Sequence, residues 1–130
     1  EVPVVIALNW VLVAHGAWAL ARRLVPRSFA AVPAAAAIAT AFDWIMEPVA
    51  IRLGYWTWDG VDIPLQNYAA WFVISFAATF ARHFIDRRSG ARASGAFVAG
   101  TGDLLAFAYL VVQAAFFALL RLGWAFLPGY

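Results

Sequence analysis

Between Asp43 and Trp71 the sequence DWIMEPVAIRLGYWTWDGVDIPLQNYAAW gathers carboxylates, side-chain amides and aromatic rings inside a chain that is otherwise almost wholly apolar. Asp43 and Glu47 stand four residues apart, so on a helix they share one face about one turn from each other. Carboxylates are costly inside a membrane, which makes them candidates for function. Two roles suit the pair. One is proton transfer, with one carboxyl as general acid and the other as base. The other is structural, with the carboxylates pairing to Arg52 or accepting hydrogen bonds from the backbone of the loop that follows. Pro48 disfavours helical geometry at Glu47 and lacks an N–H of its own, so the helix is expected to end or kink there.

Tyr55, Trp56 and Trp58 come next, in a loop punctuated by Gly54, Gly60 and Pro64, and Gln66 and Asn67 close it. Aromatics at this level suit an interfacial belt that anchors the chain at the edge of a bilayer. Beside the two carboxylates and the two amides, they suit the wall of a pocket equally well. Asn67, Trp71, Ser75 and Thr79 recur every four residues and form one stripe on a helix, expected to face inward, where the polar members would also serve as hydrogen-bonding glue between helices. His15 is the other intramembrane ionisable group of note: a proton carrier, or a neutral imidazole hydrogen-bonded to a neighbouring helix, the second being the expectation. No metal-ligand spacing surrounds it, and His83 lies among arginines. Thr101 and Asp103 are expected to cap the last helix, with Asp103 as a buried acid the alternative.

The elements that must position these groups follow from composition. Of 130 residues, 65% are hydrophobic and 12% charged, and the mean hydropathy is +0.80. Soluble domains carry about twice that charged share. The prediction is an all-α, polytopic integral membrane protein: one unit of four transmembrane helices over residues 1–130, with an aromatic-rich outer loop between helices 2 and 3. The helices are expected at about Val2 to Ala21, from near Phe29 with an end or kink at Pro48, from Pro64 or Gln66 to Phe84, and from Leu104 to Leu127, the last preceded by a helical turn or interfacial piece near Phe97 to Gly100. The second helix, rich in alanine, should be the most tightly packed. There is no cysteine, which excludes disulfides, thiolate metal sites and cysteine nucleophiles.

All nine basic residues are arginine. Arg22, Arg23, Arg27, Arg82, Arg87, Arg88 and Arg92 follow the first and third apolar stretches, and only Arg52 and Arg121 fall on the other side. This is a positive-inside pattern rather than a nucleic-acid surface, and no nucleic-acid partner is expected. It predicts cytoplasmic Arg-rich turns, with Asp86 in the second of them able to pair with its neighbours but expected to be solvated, and places both termini and the loop after Arg52 in the periplasm. No charged stripe runs through the whole membrane thickness, which disfavours a channel or transporter.

The central stretch resembles the bacterial and archaeal carotenoid hydratases, integral membrane proteins that add water to the end double bond of an acyclic or monocyclic carotenoid. The matching blocks are D-x-x-x-E-P-V-A from Asp43 to Ala50, G-Y-W-x-W from Gly54 to Trp58 and I-P-x-x-N-x-x-x-W from Ile63 to Trp71. Outside them the flanking helices match only in hydropathy. The resemblance implies a bacterial inner-membrane location, a carotenoid substrate and, since family members have more spans, that this unit is part of a longer chain. It implies acid-catalysed hydration, in which protonation of a trisubstituted alkene leaves a tertiary cation that water captures. Asp43 and Glu47 would be the catalytic acid and base, in an order left open. Tyr55, Trp56, Trp58 and Trp71 would face the developing cation, and Gln66 and Asn67 would hold the water. Such chemistry requires no metal, nucleotide or redox cofactor. A second possibility, of a different class, is a non-catalytic subunit derived from that family and packed with other membrane subunits in a pigment-protein complex such as a photosynthetic one.

Overall fold

The computed structural model describes residues 4–26, 29–60, 62–88 and 100–126. All regular structure among them is helical: α1 Val4–Leu24, α2 Ala31–Arg52, α3 Leu65–Arg88 and α4 Thr101–Phe126. Contacts between the helices fix their directions. On α1, Trp10 meets Trp71 near the start of α3, and Trp18 meets Asp86 near its end, so these two helices run parallel. Asn67 bonds Asp43 while Thr79 bonds Val32, so α2 runs against α3. His15 bonds Asp103 while Asn9 bonds Tyr109, so α4 runs against α1. The result is an up-down-up-down bundle. Its two ends differ: one holds Arg22, Arg23, Arg87 and Arg88, and the other holds Asp43, Glu47 and the aromatic loop.

The alanine-rich helix is the centre of the bundle, and it packs against all three others. Ala31, Val32, Ala35, Ala36 and Ala39 are fully buried, because side chains this small let neighbouring backbones come close. The same device joins α1 to α4: a Cβ on Gly16 would run into the Ala106 carbonyl and come within 2.8 Å of Leu110 Cβ. As expected, Ser75 and Thr79 lie on the inner face of α3, and the Thr79 hydroxyl reaches the Val32 carbonyl at 3.4 Å.

The helices α2, α3 and α4 are each long and apolar enough to cross a membrane. With 21 residues, α1 has a similar length.

Three local expectations are corrected. Of the end or kink expected at Pro48, the end is overturned: the second helix continues to Arg52. Pro48 lacks the N–H that would bond the Trp44 carbonyl one turn back, and Arg121 supplies the missing donor, its Nη1 lying 2.7 Å from that oxygen. The helix instead closes at Gly54, whose φ of 74° suits the left-handed position after a C-cap. There the Gly54 N–H bonds Ile51 O at 3.0 Å and the Tyr55 N–H bonds Ala50 O at 3.0 Å, the paired bonds of a Schellman turn.

Asp86 takes the alternative, pairing with a neighbour rather than standing in a solvated turn, because α3 extends past Phe84 to Arg88 and turns it toward Arg82 Nε at 2.8 Å and Trp18 Nε1 at 3.3 Å. Asp103 is not a cap. Helix α4 starts at Thr101, and the Gly100 carbonyl accepts its first N–H bonds from Asp103 and Leu104. Asp103 then lies inside the first turn and faces His15. The interfacial piece expected just before Gly100 lies outside the described residues, as do Arg27 and Arg92.

Candidate active site

The second half of α2 carries two acids into the bundle. Asp43 is 0% exposed and Glu47 2% exposed, on the same helix as buried Phe42, Met46, Val49 and Ala50. Each acid has its own hydrogen-bond partners. Asn67, in the first turn of α3, donates its Nδ2–H to Asp43 Oδ2 at 3.0 Å. Trp56 and Trp58 donate their indole N–H groups to a single oxygen, Glu47 Oε1, at 2.8 and 2.7 Å. The Schellman turn at Gly54 reverses the chain just after the helix, so the loop folds back over Glu47. Two residues apart, the spacing at which non-helical backbone returns side chains to one side, both indoles reach the same atom. The remaining oxygen of the first acid, Asp43 Oδ1, is buried and accepts no hydrogen bond among the described residues.

These groups border a cavity of about 250 Å³. From α2 it receives Asp43, Met46 and Glu47, and from the loop Trp56, Thr57 and Trp58. Asn67 and Trp71 of α3 form another side, and Ile6 and Trp10 of α1 complete it. Trp10 and Trp71 are stacked face to face, with ring centroids 3.7 Å apart and planes within 10°. Trp10 also meets Phe42 edge-on at 6.3 Å. These contacts hold the two indoles rigid.

Of the residues singled out in the sequence, Asp43, Glu47, Trp56, Trp58, Asn67 and Trp71 all border this one cavity. Tyr55 is 62% exposed and packs on the outer side of Trp56, and Gln66 is exposed at the start of α3; neither borders the cavity. Arg52 lies with its guanidinium 4.4 Å from the centre of the Trp124 ring. Sequence reasoning passed over Ile6, Trp10, Met46 and Thr57. Trp10 had a signal: it shares a helix face with Ile6, Val13 and Ala17, the face that packs inward.

A second polar cluster occupies the Arg-rich end. His15 Nε2 lies 2.7 Å from Asp103 Oδ1, and Arg82 Nη1 lies 3.1 Å from His15 Nδ1. Arg82 also reaches Asp103 at 3.5 Å and Asp86 at 2.8 Å, so α1, α3 and α4 are tied together there. The imidazole is hydrogen-bonded across to neighbouring helices, as expected. Among the described residues no three His, Cys, Asp or Glu side chains gather as metal ligands do.

The cavity thus offers two carboxyls in different hydrogen-bonding states, walls of aromatic faces and little other polarity. Such a site can pass a proton to an apolar group and stabilise a transient cation against ring faces. No curated protein and no solved structure matches the chain significantly. A family model does: that of the carotenoid biosynthesis proteins matches residues 1–128, and the chain belongs to this family.

Proposed function

We propose that the chain is the core of a carotenoid hydratase, adding water to the end double bond of an acyclic or monocyclic carotenoid. The observation that carries the reading is the pairing of Asp43 and Glu47 at one small, aromatic-walled cavity. Asp43 is the acid: its Oδ1 accepts nothing, so that oxygen is free to carry the proton. The proton goes to the less substituted carbon of the alkene, the π bond breaks, and a tertiary cation forms on the other carbon. The faces of Trp10, Trp71, Trp56 and Trp58 stabilise it. Water adds to the cation, and Glu47, held by two indole N–H groups, takes the proton released as the tertiary alcohol forms. Transfer of a proton from Glu47 to Asp43, one helical turn away, restores the starting state. Asn67 positions Asp43 and is within the cavity to hold the water.

In this reading α1 is a fourth span, the site faces the periplasmic side of a bacterial inner membrane with both termini, and the Arg-rich end faces the cytoplasm. A non-catalytic subunit of a pigment-protein complex is the second reading. It is favoured by the exposed apolar faces of α3 and α4, including Val73, Ile74, Val112 and Leu119.

The test is expression in a host that accumulates lycopene, followed by liquid chromatography and mass spectrometry. Carotenoids heavier by one water, lost in Asp43→Asn and Glu47→Gln variants that still insert and fold, are the expected result. No hydrated product from the stable chain or from its full-length gene product would overturn the enzyme reading in favour of the subunit.

A further inference from the structure

The cavity is smaller than its proposed substrate. At about 250 Å³ it falls below the roughly 300–1,000 Å³ of pockets that enclose a whole drug-sized ligand. It can admit one end of a carotenoid, and the long conjugated chain must lie elsewhere. The helix that supplies Asn67 and Trp71 to the cavity carries a second pattern beside them. Phe72, Phe76, Phe80 and Phe84 recur every four residues, starting at the neighbour of Trp71.

The first three stack as a ladder, and Phe84 extends the row by one more turn. Phe72 and Phe76 stack with centroids 6.3 Å apart and planes within 29°, and Phe76 and Phe80 at 6.4 Å and 8°. Phe29 braces the row edge-on at Phe80, 6.2 Å away, and the Arg88 guanidinium closes it 4.3 Å from the Phe84 ring centre. Phe72, Phe80 and Phe84 are 37%, 46% and 48% exposed. From Phe72 to Phe84 the ladder covers about 18 Å of helix, more than half of a hydrocarbon core about 30 Å thick.

We infer that this phenylalanine ladder on α3 is the docking surface for the polyene shaft of the carotenoid whose end enters the cavity. The inference rests on the hydratase reading for that end. Lipid tails require only an apolar surface, whereas a flat, stiff polyene gains from a flat, stiff row of rings: neither side loses much rotational freedom on contact, and dispersion accumulates along the whole length. The ladder starts beside the cavity wall, so a single molecule spans both.

The experiment uses the chain in lipid nanodiscs with two probes. Lycopene binding is read by quenching of tryptophan fluorescence, and turnover is read on a short acyclic isoprenoid that has the same trisubstituted end but no shaft. In the Phe76→Leu/Phe80→Leu variant, which stays apolar, lycopene binding should weaken about tenfold, while turnover of the short isoprenoid should be unchanged. Phe116→Leu on the exposed face of α4 should change neither. Lycopene quenching that is absent in the wild type, unchanged in the α3 variant, or weakened equally by Phe116→Leu would overturn the inference and leave an ordinary lipid-facing stripe. So would equal loss of short-isoprenoid turnover. Selective weakening of lycopene binding with no hydrated product from either probe would uphold the ladder and refute the hydratase reading.

Discussion

Glu47 Oε1 accepts both the Trp56 and the Trp58 indole N–H, and this shared acceptor makes a quantitative prediction. Replacing one tryptophan by phenylalanine keeps an apolar ring and removes one donor, but the other indole still satisfies the oxygen. Replacing both leaves a carboxyl oxygen, on a residue 2% exposed, with neither donor. A hydrogen bond to a charged group contributes about 1.5–3 kcal/mol, and leaving a buried acceptor unsatisfied costs about 1–3 kcal/mol more. Trp58 is 37% exposed, so water partly replaces its bond and its single substitution should fall at the low end of that range. The double variant should therefore cost more than the two singles together, with a coupling of about 0.5–3 kcal/mol. Thermal unfolding of the four proteins in one detergent measures the cycle without reference to activity. On the proposed hydratase reading, hydration rate measures its consequence: a base displaced by about 1 Å loses about a hundredfold in rate. Strictly additive unfolding effects, or a double variant as stable as the wild type, would show that the indoles do not hold Glu47.

Two further predictions test the frame around the site. Gly16→Ala places a methyl against the Ala106 carbonyl and Leu110 Cβ. It should destabilise the α1–α4 seam by about 1–3 kcal/mol, the usual cost of overpacking, seen as a lower unfolding temperature. Arg121→Ala removes the donor on the Trp44 carbonyl and should destabilise α2 near Glu47, whereas in a Pro48→Ala background, where the helix supplies its own N–H, the same change should cost clearly less. Equal losses in the two backgrounds, read by thermal unfolding, would remove the assigned reason for the helix passing through Pro48.

Features that depend on neighbours in sequence were legible from the chain alone. Four apolar stretches gave four helices, and the fourfold spacing from Asn67 to Thr79 gave the inner face of α3. The spacing of Asp43 and Glu47 put them on one side of α2. What escaped was decided by partners distant in sequence. Pro48 reads as a helix end because the rescuing donor, Arg121, belongs to another helix. Asp103 reads as a cap because nothing nearby in sequence announces His15 and Arg82. Trp10 reads as one of several tryptophans because its stacking partner, Trp71, lies two helices away. Tyr55 and Trp56 look equivalent in the string, yet the turn at Gly54 sends one ring outward and the other to Glu47.

The His15–Arg82–Asp103 cluster also bears on how the bundle is assembled. Helices α3 and α4 do not pack on one another: α3 packs on α2, α4 packs on α1 and α2, and α1 also touches α3. Arg82 and Asp103, 3.5 Å apart, bridge them across His15 of α1. The bridge therefore depends on α1 being docked against both neighbours. The same docking stacks Trp10 on Trp71 at the other end of the bundle, so the event that brings these charges together also closes the wall of the cavity.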